Sequence, residues 1–105
     1  MAVPVLIGQT TKVTLNGTTP IQICNSRSPN QDRHSLYIVN RDPTLSIEFA
    51  RRVGTAANFP TGGGILIGPG GSFLEGDYDQ ARTNSNDVWA ACTTAGNPII
   101  SVEEY

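Results

Sequence analysis

Turn-forming residues divide this chain of 105 residues into short apolar segments. The spacing of these turns constrains the fold more than any other sequence feature. Asn16 with Gly17, Asp42 with Pro43, and residues 68–71 (Gly-Pro-Gly-Gly) each have the composition of a tight turn. Between the turns, apolar and polar residues alternate with the period of a β-strand. Short strands spaced by about 8–12 residues are typical of a β-sandwich or barrel.

The pattern predicts an all-β fold, either an antiparallel β-sandwich or a jelly-roll-like barrel of about seven or eight strands. The predicted strands cover residues 10–16, 18–25, 33–40, 45–50, 65–67, 72–75, 88–93 and 99–104. The first two strands are expected to be joined tightly as a hairpin. We assign residues 9–105 to one domain, and residues 1–8 to an N-terminal arm or a strand exchanged with a neighbouring subunit.

Three segments carry predictions about burial. Residues 36–39 are four consecutive apolar residues, which predicts a central strand buried on both faces. In the next strand, Ile47 and Phe49 alternate with Glu48, which predicts a half-exposed strand. Trp89 lies among small apolar residues, which favours a position in the core.

Charge and hydropathy argue against two classes of partner. The formal net charge is −2, so the chain lacks the basic field that attracts nucleic acid. Pro4 and Gly8 limit the first apolar run to a few residues, and no basic leader precedes it, so we expect neither a signal peptide nor a membrane span. Lys12 is the one lysine among seven basic residues; the arginines that make up the rest are favoured at protein interfaces.

The residues that carry catalysis or bind metals are scarce. His34 is the single histidine, and Cys24 and Cys92 lie too far apart in sequence for a metal-binding motif. We expect two buried thiols, with a disulfide as the alternative. The sequence therefore predicts no enzyme activity, no metal and no cofactor.

Two further segments allow a catalytic or ligand-binding interpretation that we do not favour. Acidic residues cluster around one loop without the spacing of a calcium-binding hand, which favours a solvated loop or one that meets arginines of a neighbouring chain. They are Glu75, Asp77, Asp79 and Asp87. The glycines of residues 62–64 and 68–71 precede neither a Lys-Ser/Thr pair nor a helix, so they indicate turns and not a phosphate site.

The order of these features resembles small virion proteins of tailed bacteriophages over most of the chain. The resemblance rests on an arginine before a strand that ends in Asn (residues 33–40), an apolar-Gly-Pro-Gly-Gly-Ser turn (67–72), a Val-Trp-Ala strand (88–90) and a terminal strand (100–103). It looks like β-sandwich decoration, cement or head-fibre base proteins, which bind between capsomers or at symmetry axes. The resemblance implies a virion protein, assembled in the host cytoplasm, that binds the major capsid protein or another virion protein. It also implies a homo-oligomer, with a trimer as the expected number.

On this hypothesis we expect the interface to use the apolar arm, the first loop and the long connection of residues 51–64, because long connections are often functional. The expected residues are Val3, Val5 and Ile7, then Arg27 and Arg33, then Arg51, Arg52 and Phe59. The alternative is a receptor- or glycan-binding module of a fibre or spike. It would use Trp89, Tyr78 or Tyr37 as a stacking platform beside Asp77 and Asp79.

Overall fold

The computed structural model describes residues 10–26, 33, 35–76 and 86–104, and its strands confirm the all-β prediction. The strands are β1 (Thr10–Thr14), β2 (Ile21–Cys24), β3 (Ser35–Asn40), β4 (Ile47–Arg51), β5 (Ile65–Ile67), β6 (Ser72–Gly76), β7 (Val88–Cys92) and β8 (Ile99–Glu104). A single-turn 3-10 helix, Ala56–Asn58, lies between β4 and β5. The predicted N-terminal arm lies outside the described residues.

The strands form two four-stranded antiparallel sheets. Sheet I has the order β1-β8-β3-β6, and sheet II has the order β2-β7-β4-β5. The chain therefore crosses repeatedly between the sheets, in the strand order of an eight-stranded jelly roll built from two Greek keys. This order fixes which strand ends and which outer faces lie together.

The core lies between the sheets. It is made by the inward-facing residues of the central strands, which are fully or almost fully buried. These residues are Leu36, Ile38, Ile47, Phe49, Val88, Ala90, Ile100 and Val102. Because inward and outward residues alternate along each strand, these positions also define which side chains point away from the core.

The predicted hairpin of the first two strands is wrong. β1 pairs with β8 and β2 pairs with β7, so the two strands belong to different sheets. The turn at Asn16 and Gly17 does exist, but it carries the chain from one sheet to the other. Gly17 has a φ of 56°, donates its backbone N–H to the Gly96 carbonyl oxygen at 2.7 Å and accepts the Cys92 N–H at 2.9 Å. These bonds attach the turn to the β7–β8 connection.

β3 is a half-exposed strand and not the doubly buried strand that its apolar run predicts. Leu36 and Ile38 are fully buried, whereas Tyr37 is 39% exposed and Val39 is half-buried. Sheet I is covered by sheet II on one face only. Within the described residues, nothing covers its other face at Tyr37.

β4 departs from its prediction in the opposite direction. Ile47 and Phe49 face the core as expected, but the outward-facing Glu48 is only 4% exposed. Its carboxylate accepts the backbone N–H groups of Gly62 and Gly64 at 3.1 and 3.0 Å. The connection between β4 and β5 therefore folds back over the outer face of sheet II.

This connection, residues 52–64, has a small apolar cluster of its own beneath it. Val53 and Phe59 are nearly buried and pack on Ala91 of β7, with Ala50 and Trp89 at the margin. We call residues 52–64 the cover loop. It covers the central strands of sheet II on their outer face, whereas no segment of residues 10–26, 33, 35–76 and 86–104 covers Tyr37 and Leu74 on sheet I, so the two sides of the sandwich differ in the described part of the chain.

The cysteine prediction is confirmed. Cys24 and Cys92 are both buried, and neither is in a disulfide. Cys92 lies on β7, where its Sγ is 3.4 Å from the Ser46 carbonyl oxygen. Both residues behave as small core side chains.

Candidate interaction surface

The predicted interface residues fall in very different places. Val3, Val5, Ile7 and Arg27 lie outside the described residues, as do His34 and Tyr78. Arg33, Arg51, Arg52 and Phe59 are described, and the structure does not bring these four together on one exposed surface.

Arg33 is fully buried, just before β3. Its Nε donates to Glu104 Oε1 at 2.8 Å, and its terminal nitrogens donate to the carbonyl oxygens of Asn86 and Asn25 at 3.2 and 3.3 Å. The planar guanidinium suits this role because its donors point in several directions at once. Arg33 therefore fastens three segments of the domain to one another.

Arg51 also makes contacts within the chain. It forms an ion pair with Glu75 of β6, and its guanidinium lies over the Phe73 ring, 5.6 Å from the centroid. The Phe73 ring in turn packs against Phe49, with ring centroids 4.8 Å apart. Since Arg51 is on sheet II and Glu75 on sheet I, the pair joins the two sheets.

Arg52 and Phe59 belong to the cover loop. Phe59 is 6% exposed, with its ring in the apolar cluster under the loop. Arg52 is exposed and holds a φ of 63°, an uncommon conformation for a residue with a side chain. Among the predicted interface residues that the structure describes, Arg52 is the exposed one.

Asp87 anchors the start of the cover loop. Its Oδ2 accepts the Gly54 N–H at 2.8 Å and the Trp89 Nε1–H at 2.7 Å. Burial by itself raises the pKa of Asp87, but these hydrogen bonds outweigh it and hold the pKa below its ordinary value. The carboxylate therefore stabilises the fold above the ordinary carboxyl pKa, and this stabilisation is lost as the pH falls through the lowered value.

Trp89 is half-buried on the outer face of sheet II, against the cover loop. The prediction of a position in the core between the sheets is wrong, because the tryptophan packs against the small outer cluster instead. Its indole N–H is bonded to Asp87, and its ring packs at the margin of the cluster. The ring is therefore not presented as an open stacking platform.

The outer face of sheet I carries an exposed apolar pair, of which the sequence analysis named Tyr37, for the alternative stacking platform, and missed Leu74. Tyr37 of β3 and Leu74 of β6 are directly opposite in register, 39% and 62% exposed. Val39 follows on the same face of β3. The available signal was the pair Phe73 and Leu74: adjacent apolar residues in a strand must face opposite ways, so one of them points outward unless both faces are covered.

A shallow groove of about 400 Å³ lies at the other end of the same face. Lys12 of β1 and Arg41, which follows β3, line it on either side of β8, which contributes Ile99 and Ser101. Asp42, Pro43 and Asn97 line it from the β3–β4 and β7–β8 connections. Both cations are exposed, and neither forms an ion pair among residues 10–26, 33, 35–76 and 86–104.

The carboxylate of Asp42 is hydrogen-bonded within its own turn. Its Oδ1 accepts the backbone N–H groups of Thr44 and Leu45, both at 2.8 Å, as well as the Thr44 hydroxyl at 3.2 Å. The bond from the Thr44 backbone, followed by that from Leu45, lowers the pKa of Asp42 below its usual value. The groove thus contains two cations and one anion that is already occupied by hydrogen bonds.

Two further observations concern the described residues as a whole. In that part of the chain, no group of three or more His, Cys, Asp or Glu side chains is placed to hold a metal ion. None of its helices has the length and apolarity needed to cross a membrane.

Comparison with known proteins supports the fold and goes no further. No protein-family model matches the sequence, and no curated protein matches it. A solved structure titled "Crystal structure of PirA" is similar, with a TM-score of 0.55 and 13% identity, covering 91% of this chain and 93% of that one. A de novo designed double-stranded β-helix, solved by NMR, is similar with a TM-score of 0.51 and 11% identity, covering 92% and 99%. At these identities the likeness shows a shared jelly-roll-type architecture alone.

Proposed function

We propose that this chain is a structural virion protein of a tailed bacteriophage that binds the outside of the capsid and stabilises contacts between capsid subunits. The observation that carries the proposal is the exposed Tyr37 and Leu74 pair on the open face of sheet I. Contiguous exposed apolar side chains on a small domain support a site of interaction. The resemblance of the sequence to decoration and cement proteins is the reason for proposing a capsid as the partner.

The proposal assigns the docking role to the outer face of sheet I because the cover loop already packs on the central strands of the opposite face. On sheet II, Val53 and Phe59 of the cover loop pack on Ala91 of the central strand β7. A partner that covers Tyr37 and Leu74 gains apolar burial without having to displace part of this chain. The function is one of binding and support, with no catalytic step.

The size of the face explains why such a protein would act in many copies. Strands about 4.8 Å apart and a length of five residues give a four-stranded face of roughly 300 Å². A standard interface buries about 800 Å² on each partner. One copy would therefore bind weakly, and an array of copies linked to each other and to a repeating capsid lattice would bind tightly through multivalency.

Capsids from a phage that lacks the gene for this chain allow a direct test. They would be mixed with the purified protein, sedimented, and scored for the number of bound copies. We expect Leu74→Asn to weaken capsid binding by about tenfold, because it replaces one of the two exposed apolar side chains of the pair with a polar one. Leu66→Asn is the matched control: Leu66 is 66% exposed against 62% for Leu74, and both lie on edge strands, but Leu66 belongs to sheet II.

Two outcomes would contradict the proposal. One is a wild-type protein that fails to sediment with the capsids at all. The other is a Leu74→Asn variant that binds as the wild type does, or that loses no more binding than Leu66→Asn. Both leucines are exposed, so neither substitution is expected to change the free energy of unfolding by more than about 0.5 kcal/mol.

A further inference from the structure

The groove between Lys12 and Arg41 gives the open face a charged end as well as an apolar one. We propose that it binds a carboxylate of the partner protein, an Asp or Glu side chain that has an apolar residue beside it. This inference rests on the proposed function, because it names the chemistry of the partner at the same face. It adds a site to which no sequence feature pointed.

The two cations of the groove lie on opposite sides of one strand, β8. Lys12 lies opposite Ser101 in the register of β1 and β8, and Ser101 lies opposite Val39 in the register of β8 and β3. Arg41 follows β3 two residues beyond Val39, and its backbone N–H donates to the Ile99 carbonyl oxygen at 3.0 Å. A carboxylate above β8 would thus have an ammonium on one side, a guanidinium on the other and the Ser101 hydroxyl beneath it.

The backbone that carries Arg41 is held in place by its neighbour. Asn40 is fully buried, and its side-chain amide donates to the carbonyl oxygens of Leu45 and Gly68 at 2.8 and 3.0 Å. Its Oδ1 accepts the backbone N–H of Asp42 at 3.0 Å. Arg41 therefore extends from a fixed turn, which reduces the ordering that binding would require.

The sign of the local charge selects an anion. The whole chain carries a formal charge of −2, whereas the groove combines two cations with one carboxylate, Asp42, whose Oδ1 is bonded to its own turn. Ile99 is 39% exposed in the groove and Pro43 is exposed beside it. These two side chains suit an apolar neighbour of the bound carboxylate, which favours a protein segment over an inorganic anion.

The inference is tested on the isolated protein by NMR titration with the peptide N-acetyl-Glu-Ile amide. We expect saturable shifts of the amide signals of Ser101, Ile99 and Arg41. N-acetyl-Gln-Ile amide should bind at least about fivefold more weakly, and Lys12→Gln and Arg41→Gln should each weaken the acidic peptide by about two- to fivefold. Arg52→Gln, which removes an exposed arginine beyond the groove, is the matched control and should leave the affinity unchanged.

Several results would overturn the inference. They are the absence of saturable shifts, equal affinity for the Glu and Gln peptides, an equal effect of Arg52→Gln, and binding of inorganic phosphate as tight as that of the acidic peptide. The capsid assay separates this inference from the proposed function. If Leu74→Asn loses capsid binding while a Lys12→Gln and Arg41→Gln double variant retains it, the groove is wrong and the docking face stands; if Leu74→Asn retains binding, the proposed function itself fails.

Discussion

Arg33 joins three segments at one end of the sandwich through a single guanidinium group. It is buried between the end of β2, the residue pair before β7 and the last residue of β8, and it bonds to Asn25, Asn86 and Glu104. In the sequence it is one arginine beside a polar loop, and its position suggests a surface contact. Nothing local distinguishes a buried arginine from an exposed one, because its partners are far away in the chain.

Replacing Arg33 by Met should lower the free energy of unfolding by about 3 kcal/mol, because Glu104 and two carbonyl oxygens lose a charged donor in a buried setting. Urea denaturation of the purified protein measures this. Arg41→Met, at an exposed arginine, should change the value by less than about 0.5 kcal/mol. Adding Glu104→Gln to Arg33→Met should restore part of the loss; an Arg33→Met protein as stable as the wild type would show that the guanidinium is not a structural fastening.

The cover loop is the element that most changes the surface of this protein. It replaces solvent over the outer face of sheet II with Val53 and Phe59, and it is anchored by Asp87 at its start and by Glu48 near its end. Gly64 makes the second anchor possible. A Cβ there would lie 2.8 Å from the Phe49 carbonyl oxygen, whereas a Cβ on Gly63 would lie 3.5 Å from its nearest atom, the Pro60 oxygen.

Gly64→Ala should therefore loosen the cover loop, and Gly63→Ala should not. We expect Gly64→Ala to cost about 1–3 kcal/mol of stability, because a methyl group against backbone forces the chain to move. Trp89 packs at the margin of the cluster under the loop, so its fluorescence should shift to the red as the cluster opens to water. Equal behaviour of the two variants, in unfolding free energy and in fluorescence, would contradict the close approach.

The sequence predicted the positions of the strands well and the exposure of their outer faces poorly. Periodicity placed all eight strands within a few residues of their positions, because alternation is a local property. It failed for residues 36–39 and for Glu48, since the exposure of an outer face depends on what a distant segment does. It failed for the turn at Asn16 and Gly17 as well, because turn residues indicate a reversal but not which strands pair after it.

The interface residues were predictable to a smaller degree than the fold. Arginine content favours interfaces in general, but Arg33 and Arg51 use their guanidinium groups inside the domain. Tyr37, Leu74, Lys12 and Arg41 come from three strands and a turn that are distant in sequence and meet only through the jelly-roll order. Such a surface depends on the order of the strands in the two sheets, and no sequence motif indicates it.

For the whole molecule, the proposed function requires association of several copies. We expect native mass spectrometry of the purified protein to give a homo-oligomer, with three times the 11.2 kDa chain mass as the predicted value. The number three is what the resemblance to decoration and cement proteins implies; the need for several copies follows from the small area of one sheet face compared with a standard interface. A protein that stays at the mass of one chain at all concentrations up to about 0.1 mM, and binds capsids tightly in that form, would contradict this prediction.

The two sides of the sandwich differ, so the proposed attachment through sheet I fixes the orientation of the attached protein. If sheet I faces the partner, the cover loop faces away from it, and the exposed turn Ala56–Asn58 is on the outward side of the attached protein. Loop tips of this kind tolerate inserted sequence. Peptides grafted there would be presented outward in a regular array, so the same asymmetry that guides attachment would also make the protein a carrier for displayed cargo.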